Sequence, residues 1–277
     1  MSRVRVRDLV AMAQREYEVA GFACASTWPY QSRPLTRILG ELDVAEMCWD
    51  VVEDYKRQRV ADGAARATVN RELDGLSKGF GLLVQAGMLR VHQIPRIRRF
   101  RLQNARYGFV SVQEFDIICR HLPEVIDDIA TFAYWTGWRR GEVLALIWPL
   151  VVPGKWARAL DKNGRWKAAV LSGPPLRAVE RCAARRLHGC ELVFHRGGKP
   201  VRCFRKAWRA AVKQSGIGRH VLFHDLRRSF INNGRQAGID RKILMEMSGH
   251  RTHSVYDRYQ FIDEEEHREA ARRMRGE

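Results

Sequence analysis

HDLRRSF at residues 224–230 and MEMSGHRTHSVYDRY at 245–259 decide how this chain is read. In the first, His224 and Arg227 are three apart and so share one helix face. Leu226 and Phe230, four apart, anchor the opposite side. In the second, a helix stops at Gly249, His250 occupies the turn, and a short helix restarts with Val255 and Tyr259 four apart. Taken alone, an H-x-x-R pair is as readily a surface His beside a surface Arg, and most tyrosines are half-buried packing residues. Working back along the chain, the apolar helix EVIDDIATFAYWTG (124–137) runs into TGWRRGEVLAL (136–146), which carries Arg139, Arg140 and Glu142. Between these fragments, GKWARALDKNGRWKAAVLS (154–172) sets Asn163-Gly164 between two strand-like runs, a hairpin signal. Lys162 and Lys167 flank that turn.

Two fixed guanidiniums, a lysine, two imidazoles and a phenol form a set suited to a phosphodiester. Arginines match non-bridging oxygens, and a tyrosine can attack phosphorus. The charge agrees. Lys plus Arg is 49 against 31 Asp plus Glu, a net charge of +18 and a pI near 10.3, which points first to nucleic acid and second to an anionic membrane surface. No segment approaches the length of a membrane span. The start, MSRVRVRDLVAMAQREY, is charged throughout and lacks the apolar core of a signal peptide, so a cytoplasmic protein is expected. Cys24, Cys48, Cys119, Cys182, Cys190 and Cys203 include no C-x-x-C pair and read as free thiols. Cys182, His188, Cys190, His195 and Cys203 fit no standard zinc spacing, and no metal or cofactor is expected.

The chain reads as mainly α with a small β-sheet in its second half. Residues 1–100 form a helical domain. Val69, Leu73, Leu76, Phe80 and Leu83 step by four and three along one helix face, with Thr68 as N-cap and Gly87 as stop. VAEMCWDVVEDYKRQRV repeats the pattern through Val44, Met47, Val51 and Tyr55, and roughly four helices are expected in all. The stretch 90–106 holds Arg90, Arg96, Arg98, Arg99, Arg101 and Arg106 with no acid, and Pro95 breaks any helix there. Residues 101–106 are read as the interdomain linker, and these arginines as contacts to a phosphate backbone. Residues 107–277 form the second domain. Ser111 and Glu114 have the capping-box spacing, ELVF (191–194) reads as a short strand, and helices run from Phe204 with breaks at Gly216, Gly218, Gly238 and Gly249.

The order and spacing of these fragments resemble the tyrosine recombinase (phage integrase) family over most of the chain. The Gly-His turn followed nine residues later by a tyrosine matches His250 and Tyr259, with Tyr256 as the competing tyrosine. Thr-Gly-x-Arg-x-Gly-Glu aligns Arg139 with the family's first catalytic arginine and leaves Arg140 to solvent or DNA. Trp138 departs from the usual aliphatic residue. ATVNREL and its apolar helix, followed by a basic linker, resemble the family's core-binding domain. The resemblance implies a helical core-binding domain joined to an α+β catalytic domain, closing as a clamp on double-stranded DNA. It implies Tyr259 as nucleophile, Arg139 and Arg227 on the phosphate, His250 donating to it, and His224 as base. Lys162 or Lys167 would be the general acid, and Glu142 a brace. A homotetramer on paired sites, with possible DNA-bending accessory proteins, is implied as well, as is the lack of an arm-type domain in members of this size. Three other readings compete: a type IB topoisomerase, an inactive architectural DNA binder, and an RNA-binding protein supported by charge alone.

Overall fold

A computed structural model describes residues 4–102, 109–160, 164–250 and 252–257, with positions 268, 271–272 and 274–275. The chain divides into two compact units, Met1–Asn104 and Ala105–Glu277. It is mainly helical, with its small antiparallel sheet in the second unit.

The first unit contains α1 (Val6–Val19), α2 (Trp28–Gln31), α3 (Arg33–Leu39), α4 (Trp49–Ala61) and α5 (Arg66–Gln85). The stripe Val69, Leu73, Leu76, Phe80 and Leu83 is fully buried, as its spacing requires. It meets Leu9, Val10 and Ala13 of α1, and α5 carries Gly79 at the contact. A Cβ at Gly79 would stand 1.8 Å from Leu9 Cδ2, so a side chain there would push the helices apart. Two local readings are corrected. The α5 N-cap is Ala65, not Thr68, because the Ala65 carbonyl already accepts the Thr68 and Val69 amides at 2.8 and 3.1 Å. The VAEMCW segment is not one helix. Asp43 and Glu46 close a capping box around a single 3-10 turn, Val44–Glu46, and Cys48 is extended before α4 begins. Val52 therefore joins Tyr55 in the core, and Val51 is only half-buried.

In the second unit, α6 (Val112–Cys119) starts at the Ser111–Glu114 capping box. The apolar helix α7 (Glu124–Thr136) is central and packs on α9 (Gly173–Ala184) and α11 (Asp225–Gln236). Strands β1 (Val151–Val152), β2 (Trp156–Leu160) and β3 (Trp166–Val170) form an antiparallel sheet in the order β1-β2-β3. Trp156 pairs with Val170 and Leu160 with Trp166. The alternation buries Ala157, Ala159, Lys167 and Ala169 and leaves Trp156, Leu160, Trp166 and Val170 outside. Gly164 has φ +74°, as a hairpin turn needs, while Asp161, Lys162 and Asn163 lie outside the described residues.

ELVF is not a strand of its own. It contributes one bridge, Leu192 to Ile147, with the Val193 amide donating to the Leu146 carbonyl at 2.9 Å. The β-structure just beyond it is a tight hairpin of β4 (His195–Arg196) and β5 (Lys199–Pro200) around Gly197 and Gly198. Between Trp208's helix α10 (Arg205–Gln214) and the C-terminus come α11, α12 (Arg241–Ser248) and the short α13 (His253–Asp257). No described helix is long and apolar enough to cross a membrane.

Candidate active site

Four segments meet in the second unit: the α7–α8 turn, the start of α11, strand β3 and the α12–α13 turn, where α8 is Arg140–Leu144. Gly137 ends α7 with φ +67°. A Cβ on it would lie 2.4 Å from Phe230 Cδ1, so glycine is required for both backbone and space. This turn leaves Arg139 as the N-cap of α8. Its amide donates to Glu142 Oε2 at 2.7 Å, and its Nη1 donates to Glu142 Oε1 at 2.9 Å. Arg140 is exposed.

Lys167 enters from β3. Its side chain is 5% exposed, and its ammonium is paired with Glu142 and stands 4.7 Å above the Trp138 ring centre. Glu142 thus lies between two cations. Burial alone would raise its pKa, but Lys167 and Arg139 outweigh burial and hold the carboxyl below its ordinary value. Lys167 is the strained partner. Burial, with Arg227 and Arg139 nearby, brings its ammonium down to about 8 against the pull of Glu142.

Arg227 is 1% exposed on α11. Its Nη1 donates to the Gly137 carbonyl at 2.7 Å and to the Ser248 carbonyl, tying the ends of α7 and α12 together. Its Nη2 faces the His250 ring, 2.9 Å from Nε2 and 3.1 Å from Nδ1. Ser248 Oγ lies 2.7 Å from His250 Nδ1 and donates to the Leu244 carbonyl at 2.5 Å. With its proton so used, Ser248 accepts from Nδ1–H, and Nε2 accepts from Arg227. Burial first, then the charges of Arg227, Arg139 and Lys167, push His250 down to about 3, so it is neutral near pH 7. His224 stands exposed as the N-cap residue of α11. Packing around its ring, then the charges of Arg227 and Arg228, lower its pKa, with Asp225 opposing. Water at the exposed edge damps that shift.

The fold therefore gathers Arg139, Glu142, His224, Arg227 and His250 at one place. Lys167 is there as well, its Cδ stem 3.4 Å from where a Gly249 Cβ would stand. Lys162 and Tyr259 lie outside the described residues. Tyr256 is fully buried with Ile231 and Leu244, its ring 5.7 Å edge-on from His250. Sequence reasoning missed Ser248. A hydroxyl two residues before a turn histidine, at a helix end, was the available signal. Trp138, noted only as a departure, forms the aromatic wall under Lys167. Of the basic stretch, Arg90, Arg96, Arg98, Arg99 and Arg101 are exposed on the first unit, and Arg106 lies outside the described residues.

A chain with this fold and cluster has known counterparts. The Phage integrase family profile matches residues 115–266, more than half of the chain. This chain belongs to the phage integrase, or tyrosine recombinase, family. The ICEBs1 integrase of Bacillus subtilis (strain 168) is 26% identical over 109 residues, a stretch covering 38% of this chain and 30% of that relative's length. Among solved structures, a lambda integrase dimer bound to a COC′ core site superposes with a TM-score of 0.76 at 15% identity, covering 95% of this chain and 81% of that one. A lambda integrase tetramer bound to a Holliday junction gives 0.75 at 16% identity, covering 94% and 78%. The Tn1549 transposon integrase in complex with circular intermediate DNA gives 0.70 at 15% identity, covering 97% and 99%.

Proposed function

We propose that this protein is a site-specific recombinase that breaks and rejoins strands of double-stranded DNA through a 3′-phosphotyrosine on Tyr259. The observation that carries the reading is the convergence of Arg139, Arg227 and two neutral-leaning imidazoles on one pocket. Arg139 and Arg227 supply fixed charge to the crowded phosphorane oxygens. Tyrosine, with an ordinary pKa of about 10, needs a base, and His224 is neutral and accessible enough to accept its proton. The phenolic oxygen bonds to phosphorus as the bond to the 5′ oxygen breaks, and that oxygen takes a proton from Lys162. Lys167 is a poor candidate for this acid, since its ammonium is held by Glu142 over Trp138. Its role here is to position Glu142 and, through it, Arg139.

An incoming phosphate competes for Arg227 Nη2. The His250 proton then passes from Nδ1 to Nε2 by exchange with solvent, the Ser248 hydroxyl turns to donate to Nδ1, and Nε2–H donates to the phosphate. The ester conserves the bond energy, so a 5′ hydroxyl from another strand can reverse the step. The burial of Tyr256 supports Tyr259 as the nucleophile. Further parts of the proposal are a helical first unit that binds the core site, action by four copies on paired sites, and accessory proteins that bend the DNA. A nicked suicide duplex tests the chemistry. Wild type should form a covalent protein–DNA adduct, Tyr259→Phe none, and Arg139→Ala should bind DNA without cleaving it. An adduct that survives Tyr259→Phe sinks the assignment. Strand exchange between two sites, as opposed to relaxation alone, separates a recombinase from a topoisomerase.

A further inference from the structure

The basic stretch does not leave the helical unit where its charge suggests. From Ile94 to Arg101, IPRIRRFR, it is a strap without regular secondary structure, fastened to α5. Ile94, Ile97 and Phe100, three apart, turn inward and pack against the helical core. Pro95 beside them is buried too. Arg96, Arg98 and Arg101 face outward.

A polar stripe of α5, next to its apolar face, receives the strap. Asn70, Asp74 and Ser77 are spaced four and three apart, so they line one side of the helix. Asn70 grips both backbone groups of Phe100: Phe100 N–H donates to Oδ1 at 2.8 Å, and Nδ2 donates to the Phe100 carbonyl at 2.9 Å. Arg99 reaches back to Asp74 Oδ1 and Ser77 Oγ, each at 2.9 Å. The Lys56 ammonium sits 4.6 Å over the Phe100 ring, and the Arg66 guanidinium 5.4 Å. Arg96, Arg98 and Arg101 make no ion pair among the described residues, whereas Arg99 does.

We infer that the strap is a preformed phosphate-binding edge of the helical unit, with Asn70 as its positioning residue. Arg96, Arg98 and Arg101 are its DNA contacts, and Arg99 is a fastener. This rests on the DNA-binding reading above. The span from Arg96 to Arg101 is at most about 17 Å of extended chain, enough for neighbouring phosphates of one strand. Fixing the strap in advance removes an ordering cost from DNA binding without adding a charge contact.

The two kinds of residue separate in a salt titration. Affinity for a double-stranded DNA of arbitrary sequence is measured by fluorescence anisotropy from 50 to 300 mM salt, roughly the range in which counterion release is read. Arg96→Ala, Arg98→Ala and Arg101→Ala should each reduce the slope of log K against log salt by about 0.9, one phosphate contact apiece. Arg99→Ala should leave the slope unchanged. Asn70→Ala should bind roughly three- to tenfold more weakly at every salt concentration, because the strap must then be ordered on binding, again with an unchanged slope. Hydrogen exchange guards against simple unfolding: in Asn70→Ala the Phe100 amide should lose protection while the buried α5 amides keep theirs. The inference is overturned if Arg99→Ala lowers the slope as much as Arg98→Ala, or if Asn70→Ala binds like wild type. If wild type itself shows no salt-dependent binding, the DNA-binding reading fails, and not the strap alone.

Discussion

Replacing Lys167 by methionine separates function from stability at this site. The side chain keeps its length and loses its charge. Lys167 in the folded protein has its ammonium down at about 8, from an ordinary 10.5. That displacement corresponds to about 3 kcal/mol of disfavour for the charged form. The sign follows from proton counting. Between about 8 and 10.5 the unfolded chain holds a proton on this lysine that the folded chain releases, so stability contributed here rises with pH through that window. Below pH 8 the cost is present in full. That figure is already net of the attraction of Glu142, and Arg139 still pairs with that carboxylate in Lys167→Met. Lys167→Met should therefore melt no lower than wild type at pH 7. Cleavage should fall about a hundredfold, the order expected when a phosphate-holding group is displaced by about an ångström. The assay is single-turnover adduct formation on a nicked duplex from pH 6.5 to 9.5, alongside thermal melts. Wild type should lose cleavage as pH rises through about 8, and the variant should lack that step. A variant that cleaves at the wild-type rate with the wild-type pH profile refutes the positioning role.

Tyr256→Phe should still form the adduct, and Tyr256→Ala should lower the melting temperature by removing a fully buried ring, at a cost of ~3 kcal/mol; loss of the adduct in the phenylalanine variant, in folded protein, would shift the nucleophile to Tyr256. Gly137→Ala should cost ~2–4 kcal/mol, because φ +67° and Phe230 at 2.4 Å both oppose a Cβ, which a denaturant melt reads directly. His250 is held near 3, against 6.5 when unfolded, so between those values only the unfolded chain takes up the proton, and stability should fall as pH drops through that window. His250→Leu should flatten that acid limb; an unchanged limb would mean the imidazole is not buried in its neutral form.

Much of this was legible in the chain. The period of Val69 to Leu83 and the Ser111–Glu114 box each fix a local geometry through nearest neighbours, and both elements are present, as is the antiparallel pairing of the two strand-like runs on either side of Asn163-Gly164. The failures have a common cause. Ala65 supersedes Thr68 as a cap because a backbone carbonyl, invisible in the side-chain pattern, already serves the first turn. The 43–46 box looks like a helix start and instead closes one turn, since the chain must straighten at Cys48 before α4 can bury Val52 and Tyr55. ELVF has strand composition, but its pairing partner, Ile147, is distant in sequence, and only one bridge forms. At the site, the residue types and spacings named the arginines and histidines. What no spacing could give was the burial of Lys167 against Glu142. That depends on Lys167 pointing to the inner face of β3, toward Glu142, a matter of strand register.

The charge arrangement explains why such a site can wait for its substrate without collapsing on itself. Arg139 and Lys167 share the Glu142 carboxylate, Arg227 adds a further positive charge, and the excess is visible in His250 and Lys167, both driven toward their neutral forms. Arg227 is held by the Gly137 and Ser248 carbonyls, which orient it without cancelling its charge. Dipoles fix the direction, and the net charge stays available. A phosphodiester entering the pocket would meet positive charge already aimed, and the excess negative charge of the phosphorane would be stabilised more than that of the ground state. In the proposed reaction, that difference would accelerate the chemical step.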